Sequence, residues 1–176
     1  HAVGDVMYDT TLAAIDRSRT KSDILKRLGV TPQTYTVCTI HRAENTDNSE
    51  RFAGVISWLD QAACETPVIM VVHPRTRKLM TATGKTPDRV RMIDPLGYLD
   101  MIWLVHNASS VFTDSGGLQK EAYFHRVPCV TLRDETEWVE TVDAGWNRLW
   151  TTPGYRPRRE ITDYGDGCAA TKTARL

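Results

Sequence analysis

The sequence predicts an α/β domain built on a doubly wound parallel sheet, with helices on both faces. Three observations predict it. Five short runs rich in β-branched residues are each bounded by polar, Gly or Pro residues, which is how strands read. Segments of helical period lie between them. The runs are apolar on both faces, so each strand needs cover above and below, and alternating helices supply it.

Residues 1 to 30 read as helices, with Ile15, Ile24, Leu25 and Leu28 apolar. "YTVCTIH" is the first strand. A helix follows on Phe52, Val55, Ile56, Leu59 and Ala63, opened by Asp47 with Glu50 three residues on as a capping pair. "PVIMVVHP" and "RVRMIDP" are the next strands. Leu99, Ile102, Trp103 and His106 then give helical spacing, "SSVFTDS" is the fourth strand, and Leu118, Ala122 and His125 give helical spacing again. "PCVTLRD" is the fifth strand. From about Thr151 the tail reads as loop plus a short helix, and "TPGYRPRRE" reads as a mobile linker whose basic residues form a solvated turn. His106 and His125 are expected to be partly buried with their hydrogen bonds satisfied.

With 176 residues, 41% of them hydrophobic, the whole chain suits a single domain, 1–176. Lys+Arg and Asp+Glu number 22 each, so no basic stripe invites nucleic acid or an anionic membrane. Any anion must be bound locally. Cys38, Cys64, Cys129 and Cys168 show neither CxxC pairing nor zinc-ligand spacing, and Cys38 and Cys129 lie in apolar runs. Buried reduced thiols in a cytosolic protein are the expectation. No His pair has metal-ligand spacing, no stretch approaches a membrane span, and neither metal nor cofactor is predicted. Opening on His1 rather than Met, the chain reads as a piece of something longer, with His1 the remnant of a tag.

In such sheets ligands sit beyond the carboxyl ends of the strands. The polar clusters "HRAEN", "HPRTR", "DPLGY", "DSGG" and "RDETEW" all fall there, on one rim. In "FTDSGGLQKEA" two glycines open a helix, where each costs about 1 kcal/mol relative to Ala. At a helix start, free N–H groups and the positive dipole end attract anions, and a missing Cβ lets a phosphate reach the backbone. Ser115, Gly116 and Gly117 therefore suit a diphosphate, although a plain tight turn would use the same residues. Glu121 lies four residues after Gly117, and helical side chains lean toward the N-terminus. Its carboxylate could accept from the two hydroxyls of a ribose, the alternative being a surface Glu beside Lys120.

"HRAEN" places His41, Arg42 and Glu44 at a strand end. His41 could bond a phosphate or sugar hydroxyl or move a proton, and Arg42 suits phosphate or carboxylate. A solvated loop with an Arg42–Glu44 ion pair is the alternative. His73 is the same case. "DPLGY" offers Leu96 to Tyr98 for gripping a flat base through main-chain groups, or is simply a turn. In "RDETEW", Thr136 and Glu137 could meet a sugar, Arg133 joins the candidate binding residues, and Trp138 and Trp146 could simply pack.

Taken together, "TIHRAEN", "HPRT", "DPLGYLD", "FTDSGGLQKEA", "PCVTLRDETEW" and "YGDG" resemble the C-terminal half of the non-hydrolysing UDP-N-acetylglucosamine 2-epimerases, from about Gly4 to the end. The resemblance implies a Rossmann-like domain, half of a two-domain glycosyltransferase-B (GT-B) architecture, with UDP-sugar held between the halves. It puts Ser115 and the amides of Gly116 and Gly117 on the diphosphate, Glu121 on the ribose and the backbone of Leu96 to Tyr98 on uracil. His41 would lie near the diphosphate and sugar, assisting departure or return of UDP. Family chemistry eliminates UDP to leave a glycal, then re-adds it with C2 inverted, interconverting UDP-GlcNAc and UDP-ManNAc. The main acid and base carboxylates belong to the N-terminal half, absent here, through which members pair as homodimers. Catalysis needs proton-transfer groups and leaving group in one geometry, so the isolated chain is expected to bind UDP weakly and not epimerise.

Two departures matter. "TEWVE" stands where many members read "TERPE", and "RAEN" where many read "RREN". Both are similar to the branch acting on UDP-2,3-diacetamido-2,3-dideoxyglucuronate, the alternative substrate. From another class, a GT-B glycosyltransferase donor domain or a bare nucleotide-binding module would use the same fold.

Overall fold

The computed structural model describes residues 1–175. Its sheet has six strands, all parallel: β1 (Thr36–Thr39), β2 (Val68–Val71), β3 (Arg91–Ile93), β4 (Ser110–Thr113), β5 (Cys129–Thr131) and β6 (Asn147–Leu149), in the order β3-β2-β1-β4-β5-β6. This is the doubly wound, Rossmann-like order, in which the chain starts at the middle and winds outward twice. Register places Val37 beside Ile69 and Val111, and Val111 beside Cys129, on one face. Helices α2 (Ile24–Leu28), α6 (Tyr98–His106) and α7 (Gly116–Phe124) cover that face with Ile24, Leu104, Val105, Leu118 and Ala122. Cys38 and Met70 point the other way, against Phe52, Val55 and Leu59 of α4 (Ser49–Ala62) and Met80 of α5 (Pro74–Thr83). The 16-residue α1 (Val6–Lys21) lies on the first helical layer, packing Ala14 and Ile15 on Ile102.

Several expectations are corrected. The sixth strand lacks a β-branched run, and tertiary partners hold it: Asn147 accepts from the Thr131 hydroxyl at 2.9 Å and donates to Gln119 and to Thr141. β3 is not buried on both faces, because as an edge strand it leaves Arg91 and Met92 exposed. Asn48, not Asp47, caps α4, its Oδ1 accepting from the amides of Glu50 and Arg51 at 3.0 Å. Asp47 instead ends the short α3 (Ala43–Thr46) and pairs with Arg75. Cys38 and Cys129 are buried free thiols, pushed up by burial, whereas Cys64 and Cys168 are free but exposed.

Beyond α8 (Val139–Asp143) and β6, the tail contains a 3-10 turn, Thr162–Tyr164, and α9 (Ala169–Thr173). "TPGYRPRRE" is exposed but tied down: the Arg159 amide donates to the Ala144 carbonyl, and Trp146 Nε1 donates to the Arg159 carbonyl, each at 3.0 Å. It crosses Gly145 so closely that a Cβ there would lie 2.2 Å from the Arg156 carbonyl oxygen, with φ at +71°. Among the described residues no helix is long and apolar enough to cross a membrane.

His125 also departs from expectation. Both its ring nitrogens are buried without a hydrogen-bond partner, as is Nδ1 of His106, whose ring stands edge-on to it at 5.5 Å. Burial, reinforced by His106, pushes the His125 pKa down to about 3. The folded ring therefore stays neutral where an unfolded one, near 6.5, takes a proton, so the unfolded state binds more protons and stability falls as pH drops from about 6.5 toward 3. A loss on the order of 4 kcal/mol is expected across that window. Urea denaturation of His125→Leu at successive pH values should show a shallower acid loss than the parent; an equal loss would acquit this ring.

Candidate functional site

β1 and β4 are neighbours, yet the chain leaves β1 toward α4 on one face and β4 toward α7 on the other. A crevice must open at their carboxyl ends, the usual ligand position in this fold. A cavity of about 620 Å³ lies there. His41, His73, Ser115 and Glu121 supply its polar wall, and Val71, Pro95, Met101 and Leu118 its apolar one.

Ser115 is the N-cap of α7, its Oγ accepting from the Leu118 amide at 3.5 Å. Its own amide donates to Thr113 Oγ1 at 3.0 Å, which meets Thr39 Oγ1 at 2.6 Å, so the caps of β1 and β4 are laced together. First-turn amides have no intrahelical acceptor. Those of Gly116 and Gly117 have no protein acceptor among the described residues. The two glycines differ. A Cβ on Gly117 would find nothing nearer than 4.0 Å, in open space beside the cavity. One on Gly116 would lie 2.4 Å from Glu137 Oε1 and 3.3 Å from Arg42 Nη2. Gly116 makes room for the protein's own carboxylate; Gly117 leaves room for something else.

Glu121 lines the cavity one turn beyond Gly117, with burial raising its pKa. Its charge reaches Tyr98, whose hydroxyl is raised first by burial and then by Glu121. The Tyr98 ring itself is exposed and lines a separate groove with Thr10 and Arg17 of α1, while Leu96 packs on the core. Pro95, inside "DPLGY", and Met101, three residues beyond it, enter the cavity instead. Met101 carries no separate sequence signal, since its place in a helical stretch looks like that of core residues.

His41 Nδ1 stands 3.3 Å from Oδ1 of Asp114, and the His73 ring lies 5.6 Å from that of His41. His73 also caps α5, its Nδ1 accepting from the Arg75 amide at 3.2 Å. Asp114, which nothing in the spacing of "DSGG" singles out, stands behind this pair of rings. It is fully buried and accepts from the amides of His41 and Arg42 and from Asn45 Nδ2. Burial alone would raise its pKa, but the hydrogen bonds from His41, Arg42 and Asn45 outweigh it and hold the carboxyl low.

Arg42, Glu44, Arg133 and Glu137 do not line the cavity. They form an ion-pair chain at its edge: Arg42 to Glu137 at 3.5 Å, Glu137 to Arg133 at 2.6 Å, Arg133 to Glu44 at 3.1 Å and Glu44 to Arg51 at 3.1 Å. The Arg42–Glu44 pair of the alternative reading does not form, because residues two apart at a helix start point to different sides. Thr136 is likewise spent internally, donating to Gln119 Oε1. Trp138 packs, its ring centroid 4.2 Å from Lys120 Nζ, and Lys120 pairs with Asp5 at the start of α1.

The family model for UDP-N-acetylglucosamine 2-epimerase matches residues 1–163. The chain belongs to that family. Among curated relatives, this epimerase-family chain is 48% identical over 153 residues to a UDP-N-acetylglucosamine 2-epimerase homolog of Methanococcus maripaludis, covering 84% of this chain and 42% of that one. It is 43% identical over 148 residues to the UDP-2,3-diacetamido-2,3-dideoxy-D-glucuronate 2-epimerase of Pseudomonas aeruginosa, covering 84% and 40%. The solved UDP-GlcNAc 2-epimerase of Methanocaldococcus jannaschii superposes with a TM-score of 0.86 at 30% identity, over 98% of this chain and 54% of that one. The same enzyme in complex with UDP-GlcNAc and UDP gives 0.83 at 30% identity, over 98% and 53%. The epimerase-family chain thus spans about half the length of the relatives it matches.

Proposed function

We propose that residues 1–176 are the UDP-binding, C-terminal half of a two-domain, non-hydrolysing UDP-sugar 2-epimerase working in the cytosol as a homodimer. The observation that carries this is the meeting, at one cavity, of a helix start whose first amides are unspent, with Ser115 and Gly117 in the wall, and a desolvated carboxylate one turn away. A bare phosphate would be repelled by Glu121. A nucleoside diphosphate would not, because its ribose hydroxyls stand between charge and charge. In this reading the amides of Gly116 and Gly117 and the Ser115 hydroxyl hold the diphosphate, and Glu121 accepts from the ribose. The apolar wall with the backbone of Leu96 to Tyr98 takes uracil. His41 faces the diphosphate oxygen that leaves.

The proposed reaction removes the C2 proton of the sugar and breaks the anomeric C–O bond. UDP departs with the electron pair, leaving a glycal, and re-adds after reprotonation on the opposite face of C2. This half supplies leaving-group stabilisation. Proton-transfer carboxylates come from the missing half, and Arg42, Glu44, His73, Arg133 and Glu137 edge the sugar end. UDP-GlcNAc interconverted with UDP-ManNAc is the first reading of the substrate. The 43% identity to the diacetamido-glucuronate epimerase, with Trp138 in "TEWVE", favours that sugar nucleotide as a second.

Calorimetric titration of the chain tests the assignment. UDP and UDP-GlcNAc should bind with affinities within about threefold of each other, and GlcNAc alone should not register. Binding of GlcNAc without UDP would overturn it. No epimerisation is expected from the isolated chain, and turnover at the rate of a complete enzyme would refute the half-site scheme.

A further inference from the structure

Asp114 cannot touch a ligand, since it is 0% exposed, yet it holds more hydrogen bonds than a loop anchor needs. Its Oδ2 carries most of the hold on the loop after β1, accepting from the Arg42 amide at 2.9 Å, the His41 amide at 3.0 Å and Asn45 Nδ2 at 3.0 Å. Oδ1 shares the His41 amide at 3.1 Å and also faces the imidazole of His41, 3.3 Å from Nδ1. An ionised carboxylate only accepts, so the ring nitrogen beside it must carry the hydrogen. The same hydrogen bonds that hold the Asp114 carboxyl low keep it ionised.

We propose that Asp114 is a positioning residue for His41, fixing the Nδ1–H tautomer so that Nε2 is the atom offered to the cavity. A second group that sets the tautomer by bonding the other ring nitrogen is a general device for aiming an imidazole. Nε2 then takes a proton when the ring is neutral and donates one when it is charged. Its relevance to departing UDP rests on the nucleotide reading above; the tautomer does not.

Asp114→Asn separates aiming from anchoring. Its amide oxygen can occupy the Oδ2 position and keep the three contacts made there, giving up only the second contact of the His41 amide, while its NH₂ turns a donor toward Nδ1. The ring must then accept there and carry its hydrogen on Nε2. Nitrogen-15 NMR of histidine-labelled chain, recorded at about pH 8.5, above the ordinary imidazole range, reads this directly. His41→Gln identifies the signal. Wild type should show the Nδ1–H form and Asp114→Asn the Nε2–H form. An Nε2–H signal in wild type, or an Nδ1–H signal in the folded variant, overturns the proposal. Should Asp114→Asn fail to fold, the wild-type spectrum decides alone. A parallel UDP titration keeps the readings apart: the tautomer switch without UDP binding would sink the nucleotide assignment and leave this one standing.

Discussion

UDP should bind about tenfold or more weakly when Glu121 is replaced by Gln, while inorganic pyrophosphate binds as well as before or better. The carboxylate lies in the cavity with its charge partly desolvated, which is what raises its pKa. Hydrogen bonds to a charged acceptor contribute about 1.5–3 kcal/mol, or roughly ten- to a hundredfold in affinity. Gln keeps the shape but loses the charge, and one of its two faces becomes a donor. Pyrophosphate has no ribose to lose, and it gains from the removal of a like charge. Calorimetric titration of both ligands against both proteins separates the cases. Equal weakening of the two would mean that Glu121 acts through the fold, and the ribose assignment would fail.

Gly117→Ala should fold as stably as the parent, or by about 0.5–1 kcal/mol more so, and still bind UDP about tenfold or more weakly. The new Cβ meets nothing nearer than 4.0 Å, and Ala removes the helix-propensity cost of Gly. A phosphate oxygen bonding the amide must approach to about 3 Å, and there the methyl stands in its way. Opposite signs on stability and binding are hard to produce unless the glycine serves a ligand. Urea denaturation and a UDP titration on the same preparation check both halves, and wild-type affinity in the variant would remove the diphosphate from this helix start. Gly116→Ala is the contrast, because its methyl strikes Glu137 and would work through the ion-pair chain.

The fold was legible where local pattern and burial agree. Val37, Ile69 and Val111 are β-branched and buried in register, so their runs declare a sheet. β6 carries no such pattern, because Asn147 is held by side chains of Thr131, Gln119 and Thr141 rather than by its own preference. The cap of α4 slipped by one residue between two good capping types, and what decides it is Arg75, which takes Asp47 from 28 positions away. Helical period placed His125 on a buried face, but no local rule says whether a buried imidazole finds a partner.

In the site, Ser115, Gly117, Glu121, His41 and His73 were legible because each falls just beyond a strand's carboxyl end, where topology alone brings them together. Arg42, Glu44, Arg133 and Glu137 fall in the rim loops that the sequence marks, but their pairing with one another is not legible, since it depends on side-chain directions that spacing does not fix. Pro95 and Met101 look like turn and core until the loop between them is seen turned outward.

The parting of the chain at the β1–β4 seam separates what is inherited from what can be tuned. Winding alone makes the gap, so the floor beneath a ligand survives changes in its lining. The loop after β5 hangs over one end on solvent-facing ion pairs such as Arg42–Glu137, each contributing less than about 1 kcal/mol. Residues there can be exchanged at little thermodynamic cost, whereas Asp114 and Thr113 cannot. On the proposed reading, the lining that meets the hexose can therefore change while the grip on the nucleotide stays.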